Sequence, residues 1–137
     1  LFGFSVFNRK TAVAEGSKTE RVFSYVSTAV PLFYFHATTT NSHLFLAAAL
    51  LSIFGFLIST LAVIELGDRI GIAAAKRGDI CQTGVYQYMK HPMYIGYIIS
   101  EFGNILLNPF NLLIFTLSIA GYGLRAWREN NVLAKQV

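Results

Sequence analysis

Two short stretches hold most of the groups in this chain that could do chemistry. "TGVYQYMKHPMYIG", residues 83–96, carries Tyr86, Tyr88, Lys90, His91 and Tyr94. "LRAWRENNVL", residues 124–133, carries Arg125, Trp127, Arg128, Glu129, Asn130 and Asn131. Phenols, cations, an imidazole, a carboxylate and carboxamides are the side chains that hold charged ligands and pass protons. Each also has an ordinary reading. Tyrosines beside a membrane helix form an interfacial belt, and Tyr88 and Tyr97 suit that role. Lys90, Arg125 and Arg128 suit snorkelling anchors. His91 ahead of Pro92 suits a helix cap, and Glu129 an ion-pair partner for Arg125 four residues earlier on the same helical face. Taken singly, these readings suffice; the joint order and spacing ask for more.

The elements that position these groups read as membrane helices. Of 137 residues, 54% are hydrophobic and only 13% charged, against about 25% charged in an ordinary soluble domain. Residues 44–64, "LFLAAALLSIFGFLISTLAVI", contain no charge; at 1.5 Å per residue they span roughly 30 Å, the thickness of a bilayer's hydrocarbon core. A helix is expected over 22–37, kinked at Pro31, and another over 44–66. A third is expected over 92–107, started by Pro92 and stopped by "NPFN", and a fourth over 110–128. The third rises only about 24 Å and spans with difficulty, so it forms a C-terminal hairpin with the fourth. Between the second and third lies a polar segment broken by Gly67, Gly71, Gly78 and Gly84. Residues 2–7 read as the end of one further N-terminal helix. The expected fold is an all-α integral membrane protein of about four transmembrane helices, a single membrane domain over 1–137 whose N-terminal helices occupy 1–65.

Charge sets the orientation. All eleven Lys and Arg residues fall in the 8–21 connector, the 67–91 segment or the C-terminal tail. The turns "TTTNSH" and "NPFN" hold none. Antiparallel helices put the three basic regions, and both chemistry-bearing stretches, on one side, the cytoplasmic side by the positive-inside rule. The net charge of +4 then requires no nucleic acid. His36, His43 and His91 are scattered and Cys81 is single, so neither a metal site nor an internal disulfide is expected.

Gly84, Tyr86, His91, Pro92, Tyr94 and Gly96, followed some thirty residues later by Arg125, Glu129 and Leu133, resemble the isoprenylcysteine carboxyl methyltransferase and phospholipid methyltransferase superfamily. The family pattern is G-x-Y-x-x-x-R-H-P-x-Y-x-G, a helical hairpin, then R-x-x-x-E-E-x-x-L. The resemblance covers residues 66–137. It departs from the pattern at Lys90, which stands for the family arginine, and at Asn130, which stands for the second acid. The chain also stops at Val137, before the family's aromatic C-terminal tail.

The resemblance implies a membrane methyltransferase using S-adenosylmethionine. Gly84, Tyr86, Lys90, His91, Tyr94 and Glu129 would then bind the cofactor, and Arg125 and Asn130 would lie at the methyl-transfer centre. Lys90 would meet the cofactor carboxylate, Glu129 its ammonium or ribose, and the tyrosines its sulfonium through cation–π contact. Arg125 would orient an anionic acceptor arriving from the membrane lipids. A carboxylate acceptor needs no base, whereas an amine would call on His91 or Glu129; a thiol is the third candidate. Asn130 in place of an acid favours an acceptor without a demanding proton removal. The alternative is an inactive relative serving as a small subunit of a larger membrane complex. Glu101, deep in the third helix, is a further candidate functional group.

Overall fold

The computed structural model describes residues 14–15, 17–67, 75–76 and 82–134. The expected helix end at 2–7, most of the basic connector, Gly71, Gly78 and Cys81 lie outside these residues. Among the described residues four α-helices follow in order: α1 (Lys18–Ala29), α2 (Ser42–Leu66), α3 (Pro92–Leu107) and α4 (Asn111–Ala134). A 3₁₀ turn, Val30–Phe33, continues α1, and a second, Gly84–Gln87, precedes α3. The sole pairing of extended chain among the described residues joins β1 (Ala14–Glu15) to β2 (Ala75–Lys76), antiparallel.

The first helix differs from its expected 22–37 span. It starts earlier because Ser17 and Glu20 form a capping box: the Ser17 hydroxyl accepts from Glu20 N, and the Glu20 carboxylate accepts from Ser17 N at 2.6 Å. It also ends earlier. Pro31 has no N–H for the α-helical ladder, so the chain tightens into the 3₁₀ turn and is extended by Tyr34. Pro31 therefore terminates the helix instead of kinking it. Helices α2 and α3 lie close to expectation, α3 with the same limits, while α4 runs on past the expected end at 128 to Ala134.

Helix α2 has 25 residues, a rise of about 37 Å, and among the described residues it is the one helix long and apolar enough to cross a membrane by length and composition. Its outer face exposes Phe45, Leu50, Phe54, Phe56, Leu57 and Leu61. A soluble monomer rarely leaves so continuous an apolar surface uncovered.

Helix α2 packs most extensively on α3, through small residues. A Cβ at Gly96 would lie 2.6 Å from Gly55 O and 2.8 Å from Ser59 N, and one at Gly103 would lie 2.8 Å from Ala48 O. The backbones meet directly, the close approach that small residues permit between apolar helices. Ser52 donates to Ser100 O at 3.2 Å and Ser59 to Met93 O at 3.3 Å.

At one end of the hairpin, the Asn108–Asn111 turn also holds the extended 34–39 strand of chain. Asn111, fully buried, accepts from Phe35 N at 2.8 Å and donates to Phe35 O and Asn104 O. Asn108 donates to His36 O, and Leu107 O accepts from Thr38 N and Thr39 N. These bonds satisfy backbone that no helix or sheet serves. They fix α1 against α4, leaving the opposite end of the hairpin for the chemistry-bearing side chains.

Candidate functional site

Two turns converge there. Glu65, in the last turn of α2, accepts from Val85 N at 2.8 Å and lies directly against Gly84. Gly84 has φ +54°, a backbone state that favours glycine, and a side chain there would strike the Glu65 carboxylate. The turn so anchored delivers His91 and Pro92 to the start of α3. Tyr86, half-buried, donates its N–H to Thr83 O within this turn.

His91 occupies the N-cap position of α3, but its side chain makes no capping bond. It reaches instead across to α4. Its Nδ1 lies 3.4 Å from Glu129 Oε2 and its Nε2 3.3 Å from Asn130 Oδ1. Tyr94, one helical turn on from His91, donates its hydroxyl to the other Glu129 oxygen in a short hydrogen bond. The His91 and Tyr94 rings lie 5.6 Å apart, tilted by 30°. Thus the carboxylate of Glu129 engages His91 and Tyr94, neither of them the Arg125 partner that helical spacing alone suggested. The His91 and Glu129 side chains remain 21% and 25% exposed, so a solute can reach them.

Arg125 sits deeper, 7% exposed. Its guanidinium lies 5.2 Å from the centre of the Tyr94 ring and donates to Thr28 Oγ1 of α1 at 2.9 Å. One turn away on α4, Arg128 lies over the Phe23 ring of α1 at 4.5 Å. Helix α1 is therefore a wall of the same site, which the sequence motifs did not indicate.

Of the expected site residues, the structure brings together His91, Tyr94, Arg125, Glu129 and Asn130. Gly84 and Tyr86 belong to the anchored turn beside them. Lys90 is exposed and makes none of the cluster's contacts described here. Glu65, Thr28 and Tyr122 were missed. Tyr122 stacks on Tyr94 with centroids 5.6 Å apart and planes 15° from parallel. Its signal was its spacing: residues 118, 122, 125, 129 and 132 recur at four and three along α4, one polar-rich face of a helix.

Arranged this way, the site offers a carboxylate and an imidazole near solvent, an aromatic face, and a buried cation behind it. That set suits a ligand carrying both positive and negative groups.

The description of the isoprenylcysteine carboxyl methyltransferase family matches residues 48–135, reaching back into α2 well before residue 66, where the motif resemblance began. A curated relative, protein-S-isoprenylcysteine O-methyltransferase from Dictyostelium discoideum, is 29% identical over 101 residues, which cover 69% of this chain and 40% of the relative. The chain thus spans about two fifths of that relative's length. No solved structure matches it. With more than half of its length matched, and with both halves of the motif meeting in one cluster, this chain belongs to the isoprenylcysteine carboxyl methyltransferase family.

Proposed function

We propose that this chain is a membrane-embedded methyltransferase that takes a methyl group from S-adenosylmethionine and delivers it to a lipid-like acceptor, carboxylate by preference over thiol or amine. The observation that carries the reading is the joining of His91, Tyr94 and Glu129 between the start of α3 and the end of α4. Family membership and the relative's name support it from a second direction.

The donor set fits the cofactor. S-adenosylmethionine presents an ammonium, a carboxylate, an adenosine and a sulfonium, whose electrophilic methyl it would supply to the site when bound. Glu129 would take the ammonium or ribose hydroxyls, and Lys90, free to move at the rim, the carboxylate. Tyr86 would present an aromatic face and a hydroxyl to the cationic centre, and Tyr94, its hydroxyl on Glu129 and its ring against Tyr122 and Arg125, would hold that carboxylate toward the cofactor. His91 orients Glu129 from one ring nitrogen while Asn130 holds the other. Gly84 shapes the turn that brings Tyr86 and His91 into place. Arg125, buried behind Tyr94, would draw an anionic acceptor to the inner side of the ring and exclude water around it. A carboxylate acceptor arrives already nucleophilic, so Asn130, which cannot take a proton, suffices beside it.

We infer four spans for the chain, α1 with its 3₁₀ extension the shortest reach among them, and the 1–137 stretch acting as one domain. The β1–β2 pairing joins the N-terminal connector to the 67–91 segment, and both strands contact α4. That supports placing the three basic regions, and the site, together on the cytoplasmic side.

The test is calorimetric titration of S-adenosylmethionine into the full chain in detergent, beside Glu129→Ala. Saturable binding by the wild type, weakened roughly tenfold to a hundredfold in the variant, is expected. Wild-type protein that takes up no cofactor at millimolar concentration overturns the reading.

A further inference from the structure

Glu101 lies two helical turns beyond Tyr94 on α3 and is 7% exposed. An ionisable group at such depth in an apolar helix is costly and calls for a role. Both of its oxygens are engaged. Tyr122 of α4 donates to one in a short hydrogen bond, and Tyr34, from the extended chain after α1, donates to the other at 2.8 Å. A carboxylate so satisfied is poorly placed to bind a ligand of its own. What it does is hold Tyr122.

A tyrosine ring swings about its first side-chain torsion, and a bond to its hydroxyl, the atom farthest from the backbone, fixes the direction in which the ring points. Glu101 grips the hydroxyl of Tyr122, which is 4% exposed, and so holds the ring in its place beside Tyr94. The ring so fixed stacks nearly parallel on Tyr94. Tyr94 in turn bonds Glu129 and underlies Arg125. An orientation set at Glu101 is thereby transmitted through two stacked rings to the carboxylate and the guanidinium of the site.

We propose that Glu101 and Tyr122 are positioning residues for the methyl-transfer site, acting through the Tyr94 ring on Glu129 and Arg125. The inference rests on the function proposed above. Tyr34 shares the same carboxylate, but the ring stacked on Tyr94 is that of Tyr122, so Tyr34 supplies the control.

The experiment compares Tyr122→Phe with Tyr34→Phe in the full chain in detergent. Three things are measured: thermal unfolding, S-adenosylmethionine affinity, and the imidazole resonances of isotope-labelled histidine. Each variant removes one hydroxyl from Glu101, so similar shifts in melting are expected. Tyr122→Phe should weaken cofactor binding about tenfold, the upper end for one hydrogen bond, and move the His91 resonances while those of His43 stay in place. Tyr34→Phe should leave affinity and the His91 resonances near wild type. Equal effects of the two variants, or an unmoved His91 in Tyr122→Phe, overturn the proposal. The resonance comparison needs no cofactor. A wild type that fails to bind S-adenosylmethionine therefore refutes the proposed function, while the positioning claim is still decided by His91.

Discussion

Helix α3 has two working faces, and they are built on opposite rules. Toward α2 it presents Gly96, Ser100 and Gly103, and the two backbones touch. Toward α4 it presents Tyr94, Tyr97 and Glu101, large polar side chains whose hydrogen bonds and ring contacts span the gap. The first face leaves room for nothing, which is what fixes α3 relative to the longest helix. The second holds its helices apart on aromatic and ionic spacers, and spacing of that kind is what admits a ligand. One helix can thus be rigid on one side and chemically open on the other, because glycine and tyrosine alternate around it at helical spacing.

The largest expected effect comes from breaking the closed face. Gly96→Ala puts a methyl group against the Gly55 and Ser59 backbones, which cannot step aside as a flexible side chain would. A cost of about 1–3 kcal/mol or more is expected, seen as a lowered melting temperature in detergent and a loss of every site function together. Gly123→Ala is the matching control, because a Cβ there meets nothing within 4 Å. It should leave melting unchanged or raise it by up to about 1 kcal/mol through helix propensity. If both substitutions behave alike, direct backbone contact is not what holds α2 to α3.

Breaking the open face should act on binding and spare the fold. Glu129→Ala removes the acceptor shared by Tyr94 and His91. Losing a charged hydrogen-bond partner costs about 1.5–3 kcal/mol, so cofactor affinity should fall roughly tenfold to a hundredfold. Melting should move little, since Glu129 is one quarter exposed. A variant that melts much lower with affinity intact would make Glu129 a structural residue.

The contrast between the faces also explains what was legible in the sequence. Helices α2, α3 and α4 could be read because their signals are local: an uncharged run, a proline at a first turn, an "NPFN" stop. The motif of the candidate site could be read because His91, Tyr94, Arg125 and Glu129 sit at fixed spacings on only two helices. The start of α1 is marked too, by the Ser17-x-x-Glu20 capping box, a signal weaker than the apolar run that begins at Val22. Thr28 and Glu65 were not legible. Each acts on a group more than fifteen residues away, Thr28 on Arg125 and Glu65 on the Gly84 turn, and no local period marks such a contact. Glu101 was legible as an anomaly in an apolar helix. Its partners were not, because Tyr34 and Tyr122 come from two other elements.

A smaller effect should separate the inner side of the open face from the outer. Thr28→Val keeps the shape of the side chain but removes the oxygen that accepts from Arg125. One such bond is worth about 1 kcal/mol, so the Michaelis constant for an anionic acceptor should rise about fivefold while cofactor affinity holds. A change in cofactor affinity instead would place Arg125 on the cofactor's side of Tyr94.

The smallest effect is expected at the rim. Lys90 is exposed, and an exposed charge acts on a ligand through water, where attraction is weak and screened by salt. Lys90→Ala should weaken cofactor binding by only about twofold to fivefold at low ionic strength, and the difference should vanish as salt is raised. Glu129→Ala, by contrast, should keep its effect at high salt, because the groups it serves are partly shielded from ions. A Lys90→Ala loss that matches Glu129→Ala and persists in salt would mean that Lys90 folds down onto the bound cofactor. The open face would then close over its ligand, and the difference between the two sides of α3 would be a property of the unliganded protein alone.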